Sequence, residues 1–382
     1  MGMSLCFAAS NKLSLLIVAS FNGKYEGLTG IDAYVSNHAR LMQDAGYNVF
    51  VVSQQNSGLH RRLQLENVPC AGYDFQAIFA GKDPGDYKAF FKKIVIDRQI
   101  THVHCNSVYE LSSIHKAVGS LGIKIFYTHH YQSKMVIDKY PFLSGGVVVN
   151  KLLVNSKNSI TNEGIAPIVF IPPFLDDQRF LSVNVFESAA LRNLYGANGP
   201  IITMVGNMYN NSSFKNYPLL IKAIAMLNEK YNFPCTALIV GDGPQRDKIS
   251  KLVTANSKLS SVVNFLGFRR DVPEILAASD LVVLTSKTEG FGMVLAEANM
   301  LGKPVVGPNK TGVEGVIEHG INGLLFENDS ADDFCQKVIA ILSDQEIQKA
   351  MGLAARDYAS RNFMQHILLG QLLSLYGVSV DK

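Results

Sequence analysis

Cysteine is scarce in this chain of 382 residues, and the five present are scattered. Cys6, Cys70, Cys105, Cys235 and Cys335 are odd in number, and no two form a C-x-x-C pair. This spacing excludes a disulfide framework and a cysteine zinc site, and it predicts a reducing compartment. Long apolar runs are also missing: none approaches the ~18 residues that mark a membrane span. The run Leu13 to Ala19 has strand length and reads as a first strand, not a targeting segment. A cytoplasmic location is expected. Charge of one sign is not in excess either. The formal net charge is +3, so nucleic acid is not an expected partner. What imbalance exists lies early, with 16 Lys and Arg against 13 Asp and Glu in residues 1–178 and 19 of each thereafter. No Asp-x-Asp pair stands at a strand end, and the pair Asp176-Asp177 falls in a connecting stretch. Hydrophobic residues make up 47% and charged ones 18%, the balance of a well-packed globular protein.

Short apolar runs alternate with helical patterns along the whole length. In the first half the runs are Leu13–Ser20, Tyr47–Ser53, Thr101–Cys105, Lys124–Thr128, Leu152–Ser156 and Ile168–Ile171. In the second half they are Ile201–Val205, Ala237–Val240, Val262–Leu266, Leu281–Leu284, Pro304–Val306 and Gly323–Phe326. Helical spacing occupies Ile31–Ala45, Pro218–Lys230, Pro244–Asn256, Val272–Ala278 and Phe291–Met300. Nearly continuous apolar strands between helices predict an α/β fold of parallel sheets covered on both faces. The pattern restarts near Ile201, so two doubly wound domains are expected, residues 1–178 and 179–382, with a linker at about 173–198. The last helix is a candidate to pack back on the first domain. Ligands of such sheets bind at the carboxyl ends of the strands, which makes the cleft between the domains the expected active site.

The most informative stretch is Glu289-Gly290-Phe291-Gly292-Met293-Val294-Leu295-Ala296-Glu297. It reads as a glycine turn opening onto a helix. Free N–H groups and the positive dipole end at such a start form a seat for phosphate. Glu289 on the turn and Glu297 two turns later suit a ligand with hydroxyls as well, such as a nucleotide sugar. A surface helix with two solvated glutamates is the alternative. The glycines of the loop from Gly23 to Gly30 either admit a ligand to the backbone or form an ordinary strand-to-helix connection. His102 and His104 share a strand face, and His129 and His130 end the next strand. They read as hydrogen-bonding residues lining a cleft or, with no carboxylate or cysteine to support it, as a metal site. Gly206 and Asn207 end a strand, and Lys215 precedes the next helix, where it can neutralise a diphosphate. Gly241-Asp242-Gly243-Pro244 resembles the start of a dinucleotide fingerprint, but Arg246 replaces the third glycine, which argues against a dehydrogenase. The segment Tyr87 to Arg98 sets Lys88, Lys92, Lys93 and Arg98 among apolar residues. It reads as an ordinary surface helix or as an interfacial membrane contact.

In order along the chain, several motifs resemble the family-4 retaining glycosyltransferases. They are Gly206…Lys215, Val240-Gly241-Asp242-Gly243-Pro244, Phe265-Leu266-Gly267, Ser286…Glu289-Gly290-Phe291-Gly292…Glu297-Ala298 and Gly302-Lys303-Pro304-Val305-Val306. Thr311-Gly312-Val313-Glu314 and Asn322-Gly323-Leu324-Leu325 follow. Looser correspondence covers the first half, through Gly30, Gly46, His129-His130 and Asn155-Ser156. The resemblance implies the GT-B fold, with the donor mainly on the second domain and the acceptor mainly on the first. It implies that no metal or other cofactor is required. Glu289 would contact donor-sugar hydroxyls and Glu297 the ribose. Backbone groups of Phe291, Gly292, Met293, Val294 and Leu295 would hold the sugar and the distal phosphate. Lys215 would bind the diphosphate, His129 would reach the sugar near the bond being broken, and Gly30 would approach the diphosphate. Gly206, Asn207, Gly241 and Gly243 complete the expected donor site. The sequence departs from the family at Asn207, where Arg is usual, at Thr29, where Gly is usual, and at Pro173-Phe174-Leu175-Asp176.

The resulting expectation is a retaining glycosyltransferase that uses a nucleotide-sugar donor, preferably a UDP-sugar. The acceptor would be a glycan or lipid-linked hydroxyl in bacterial surface polysaccharide or lipopolysaccharide synthesis. Peripheral contact with the inner face of the membrane fits that destination. The alternatives are another GT-B enzyme, such as a phosphorylase or sugar-nucleotide epimerase, and a non-catalytic nucleotide-sugar-binding subunit.

Overall fold

The computed structural model describes residues 13–20, 30–76, 85–130, 140–155, 167–195, 199–208 and 215–379. The glycine loop from Gly23 to Thr29, Ser156 and most of the loop from Met208 to Phe214 lie outside the described residues. The chain divides into two compact units. Unit 1 is Met1–Leu175 with Gln365–Lys382, and unit 2 is Asp176–Met364.

Among its described residues unit 1 holds seven parallel strands: β1 (Ser14–Ala19), β2 (Asn48–Gln54), β3 (Cys70–Tyr73), β4 (His102–Cys105), β5 (Lys124–His129), β6 (Gly145–Val148) and β7 (Ile168–Phe170). Their order across the sheet is β3-β2-β1-β4-β5-β6-β7. The inner strand β1 shows why its sequence is apolar from Leu15 onward. Leu15, Ile17 and Ala19 enter one core cluster with Val35, Ala39 and Met42 of helix Gly30–Asp44 and Leu368 and Leu372 of helix Gln365–Tyr376. Leu16 and Val18 enter the other, with Tyr87, Phe91 and Val95 of helix Gly85–Asp97 and Leu111 and Ile114 of helix Val108–Val118. A strand buried on both faces has no polar side to alternate with.

Among its described residues unit 2 holds six parallel strands: β8 (Ile201–Val205), β9 (Thr236–Val240), β10 (Val263–Gly267), β11 (Leu281–Val283), β12 (Val305–Pro308) and β13 (Gly323–Phe326). Their order is β10-β9-β8-β11-β12-β13. Each unit is a doubly wound α/β sheet, the architecture of the GT-B class.

Two expectations fail locally. The run at Leu152 forms a helical turn, Leu152–Asn155, and the strand lies earlier, at Gly145–Val148. The Asn150 side chain accepts the Leu152 N–H at 3.0 Å and so starts the turn. Gly145 and Gly146 are poor strand formers by propensity, but a Cβ on Gly145 would stand 2.8 Å from Leu375 and 3.0 Å from Phe126. Packing therefore selects glycine there. The expected linker at 173–198 instead contains helices Asp177–Leu181 and Val185–Tyr195. Asp176 caps the first, and Asn184 accepts the Phe186 and Glu187 N–H groups at the start of the second.

Candidate active site

In unit 2 the chain runs from β8 outward through β9 and β10, then returns to β11 on the other side of β8. The loops after β8 and β11 therefore diverge, which defines the topological switch point where α/β sheets bind ligands. Gly206 follows β8, and Glu289 lies in the loop after β11. Lys215 stands just before helix Tyr217–Glu229. Its Nζ donates to Glu289 Oε2 at 2.8 Å. The two side chains are 26% and 17% exposed, so the pair is sheltered but reachable. The Lys215 stem also passes 3.4 Å from where a Gly206 Cβ would stand. Folding thus brings Gly206, Lys215 and Glu289 together across 74 residues of chain separation.

Several neighbours fix these residues. Thr285, at the end of β11, directs its hydroxyl at the carbonyls of Lys215 (2.9 Å) and Asn216 (3.2 Å). Asn216 adopts φ +52, a left-handed conformation that asparagine tolerates. Tyr217 donates its hydroxyl to the Gly206 carbonyl at 2.7 Å. On the other side, Gly312 N–H donates to the Glu289 carbonyl at 2.8 Å. A Cβ on Gly312 would stand 2.0 Å from the Gly290 carbonyl oxygen, so only glycine lets this loop buttress the Glu289 turn. Gly241 has φ +128, and a Cβ there would fall 1.9 Å from the Gly206 oxygen. A Cβ on Gly243 would come within 2.6 Å of the Met208 carbonyl. These two glycines pack the loops after β8 and β9 against each other. Asp242 is occupied locally, accepting Gly243 N–H and pairing with Arg246, both at 2.8 Å. Asn207, in the usual Arg position, is exposed.

Helix Met293–Met300 begins at Gly292, which has φ +91 and makes no side-chain cap. Leu295 N–H donates to the Gly292 carbonyl at 2.9 Å. The first-turn amides of Met293 and Val294 precede any intrahelical partner and suit an anion. Phe291 and Leu295 are buried, with the Phe291 ring edge-on to Phe363, so their side chains serve the core. Glu297 sits on the same helix. Burial pushes its carboxyl up to about 7, and Arg179 pulls the other way. Arg179, from helix Asp177–Leu181, is anchored by donating to the Arg270 carbonyl.

In unit 1, His129 ends β5, is 5% exposed, and shares a hydrogen bond of 3.1 Å between Nδ1 and the Tyr127 hydroxyl. His130 shares one of 3.0 Å with Asn106 Oδ1 and packs edge-on to Tyr34. Gly30 opens its helix and is exposed. His102 and His104 do share a face, and that face meets Tyr376 of helix Gln365–Tyr376. His102 bonds the Tyr376 carbonyl at 3.2 Å, and His104 bridges the Tyr376 and Thr128 hydroxyls, both at 2.6 Å. Burial lowers His102 to about 4 and His104 to about 3, so both stay neutral as structural pegs. Glu110 lies near the unit 1 switch point, between β1 and β4. It accepts Ser20 N–H at 2.7 Å, and burial pushes it up to about 8 while Ser20 draws it down.

The sequence does not mark Thr285, Arg179 or Glu110 for the site. Gly312 stands out there only as part of the Thr311-Gly312-Val313-Glu314 motif. The signal available for Gly312 was a glycine on a β-strand exit, which alone does not say what approaches it. Among the described residues no group of three or more His, Cys, Asp or Glu stands where it could hold a metal ion.

Comparison with known proteins bears on the fold and the class of protein. Residues 192–358 match the family model for glycosyl transferases group 1. N-acetyl-alpha-D-glucosaminyl L-malate synthase of Bacillus anthracis is 28% identical over 288 residues, covering 72% of this chain and 74% of that one. The lipopolysaccharide core biosynthesis glycosyltransferase LpsE of Rhizobium meliloti is 27% identical over 179 residues, 47% of this chain and half of that one. Anabaena HepE, solved with UDP and glucose, superposes with a TM-score of 0.76 over 96% of this chain and 100% of its own, at 20% identity. Fold and relatives together define a glycosyltransferase of the GT-B class. The match to the group 1 glycosyltransferases lies in residues 192–358, within unit 2.

Proposed function

We propose that the chain moves a sugar, with retention of configuration, from a nucleoside diphosphate sugar to a hydroxyl of a glycan or lipid-linked acceptor. A UDP-sugar is the preferred donor. The observation that carries this reading is the convergence of Lys215, Glu289 and the start of helix Met293–Met300 at the unit 2 switch point. The chemical difficulty is charge building on the departing diphosphate. Lys215 and the amides of Met293 and Val294 stabilise it. Glu289 accepts from sugar hydroxyls and Glu297 from the ribose. His129 acts at the sugar face, with Gly30 near the diphosphate. Unit 2 carries the donor and unit 1 the acceptor. The HepE complex with UDP supports the uridine donor. The role named for LpsE supports a surface glycan of the lipopolysaccharide kind as acceptor. Protein cations and helix amides take the place of a metal in this scheme.

No helix among the described residues is long and apolar enough to cross a membrane. We place the protein in the cytoplasm, with peripheral contact at the inner membrane face. Tyr87, Phe91 and Val95 face the core, while Lys88, Lys92 and Lys93 are exposed, so the contact is electrostatic and not inserted. Each basic residue near an anionic surface contributes about 1 kcal/mol.

The test is a panel of nucleotide sugars read by release of UDP or GDP. Turnover of a UDP-sugar is expected. Splitting of an oligosaccharide by phosphate, with no nucleotide sugar turned over, would replace this reading by a phosphorylase.

A further inference from the structure

We propose that Glu289 is the internal counter-ion of Lys215 when no donor is bound, and that this pairing expels the nucleoside diphosphate product. The inference rests on the donor-site reading above. The pair is the only salt bridge that either residue makes among the described residues, with Nζ and Oε2 2.8 Å apart. Both partners are held from behind. Thr285 fixes the Lys215 backbone through its carbonyl, and Gly312 N–H fixes the Glu289 carbonyl. The charged ends therefore meet with the carbonyls of both residues anchored. An incoming diphosphate must take the ammonium from the carboxylate.

The exchange has different consequences for substrate and product. With a nucleotide sugar, the released carboxylate accepts hydrogen bonds from sugar hydroxyls beside the diphosphate. Both charges remain partnered. After transfer the sugar has left, and the diphosphate alone occupies Lys215. The Glu289 carboxylate then has no hydroxyl to accept and stands beside a more negative distal phosphate. A sheltered carboxylate without a partner is costly, and like charge adds repulsion. Re-forming the 2.8 Å pair relieves both and favours departure of the product. Glu289 thereby discriminates nucleotide sugar from free nucleotide, in addition to contacting the sugar.

The experiment measures UDP binding by titration calorimetry to wild type, Glu289→Gln, Lys215→Met and the double variant. Glutamine keeps the shape and hydrogen-bonding reach of the side chain while removing its charge. Glu289→Gln is expected to bind UDP on the order of tenfold more tightly than wild type, the scale of one charge-assisted hydrogen bond. The gain should largely vanish in the Lys215→Met background, because competition for the ammonium is then gone. Equal or weaker UDP binding by Glu289→Gln, with wild type binding measurably, overturns the inference. So does a gain of full size that persists without Lys215. Wild type that binds no nucleoside diphosphate would instead overturn the donor-site reading itself.

Discussion

Glu297→Gln should make the protein more stable above neutral pH while weakening its hold on the donor. The Glu297 carboxyl moves from an ordinary 4.5 to about 7 because it is buried, with Arg179 opposing. The folded state therefore holds this proton more tightly than the unfolded chain does. Between about pH 4.5 and 7 the native state binds more protons, so stability falls as pH rises through that window. Below it the group contributes nothing to the difference, and above it the full cost of burying a carboxylate is present. A difference of this size corresponds to at most about 3.4 kcal/mol. Glu297 keeps some exposed surface, and solvent screening reduces the cost to roughly 1.5–2 kcal/mol. Glutamine fills the same volume without a charge to desolvate.

The assay is thermal unfolding of wild type and variant at pH 5.5 and 8.5. A domain of this size moves about 2–4 °C per kcal/mol, so the variant should melt about 3–8 °C higher at pH 8.5. At pH 5.5 the gain should shrink by more than half. Glu110, itself raised to about 8, contributes the same background to both proteins and cancels in the difference. UDP affinity should fall in the variant, since a neutral amide is a weaker acceptor for ribose hydroxyls than a carboxylate. A variant no more stable than wild type at pH 8.5, or a gain equal at both pH values, would refute the assignment of a strained, buried acid.

Glu289→Ala should lower transfer by about 10²-fold or more with the fold intact, because contacts that tighten in the transition state are lost. Steady-state rates and circular dichroism check it, and near wild-type turnover would count against the role. Gly241→Ala should cost several kcal/mol, about 3 or more, since its Cβ meets the Gly206 carbonyl and its φ is positive. A melting temperature within a degree of wild type would show that the β8 and β9 loops yield. Transfer should continue in excess EDTA; loss of activity restored by Mg²⁺ or Mn²⁺ would overturn the metal-free scheme. Sedimentation with anionic vesicles should be weak and lost at high salt. A Lys88/Lys92/Lys93→Glu variant should abolish it, and equal sedimentation by both proteins would remove this helix from the membrane contact.

How far the sequence carried differs between fold and site, and the reason is physical. Parallel strands buried on both faces leave an apolar run that is visible without a structure, as β1 and β8 show. Strand β6 escaped because its glycines are chosen by neighbours distant in sequence, Phe126 and Leu375. The helices inside the expected linker escaped because Asn184 and Asp176 act as caps there, and a turn-rich composition hides caps. In the site, the two glutamates of one motif could be paired by spacing, but their chemistry could not. Glu289 lies on a loop against an ammonium, whereas Glu297 lies on a helix where burial dominates. The same eight-residue spacing thus places one carboxylate that is already neutralised by a partner and one that resists ionisation. In the proposed donor site both accept hydroxyls from the same donor. Binding can meet both needs at once only if the ligand brings a diphosphate to displace the first carboxylate and a diol to stabilise the charge of the second. A molecule with one feature and not the other leaves a carboxylate unsatisfied, and the demand for both on one ligand is what selects a nucleotide sugar over its parts.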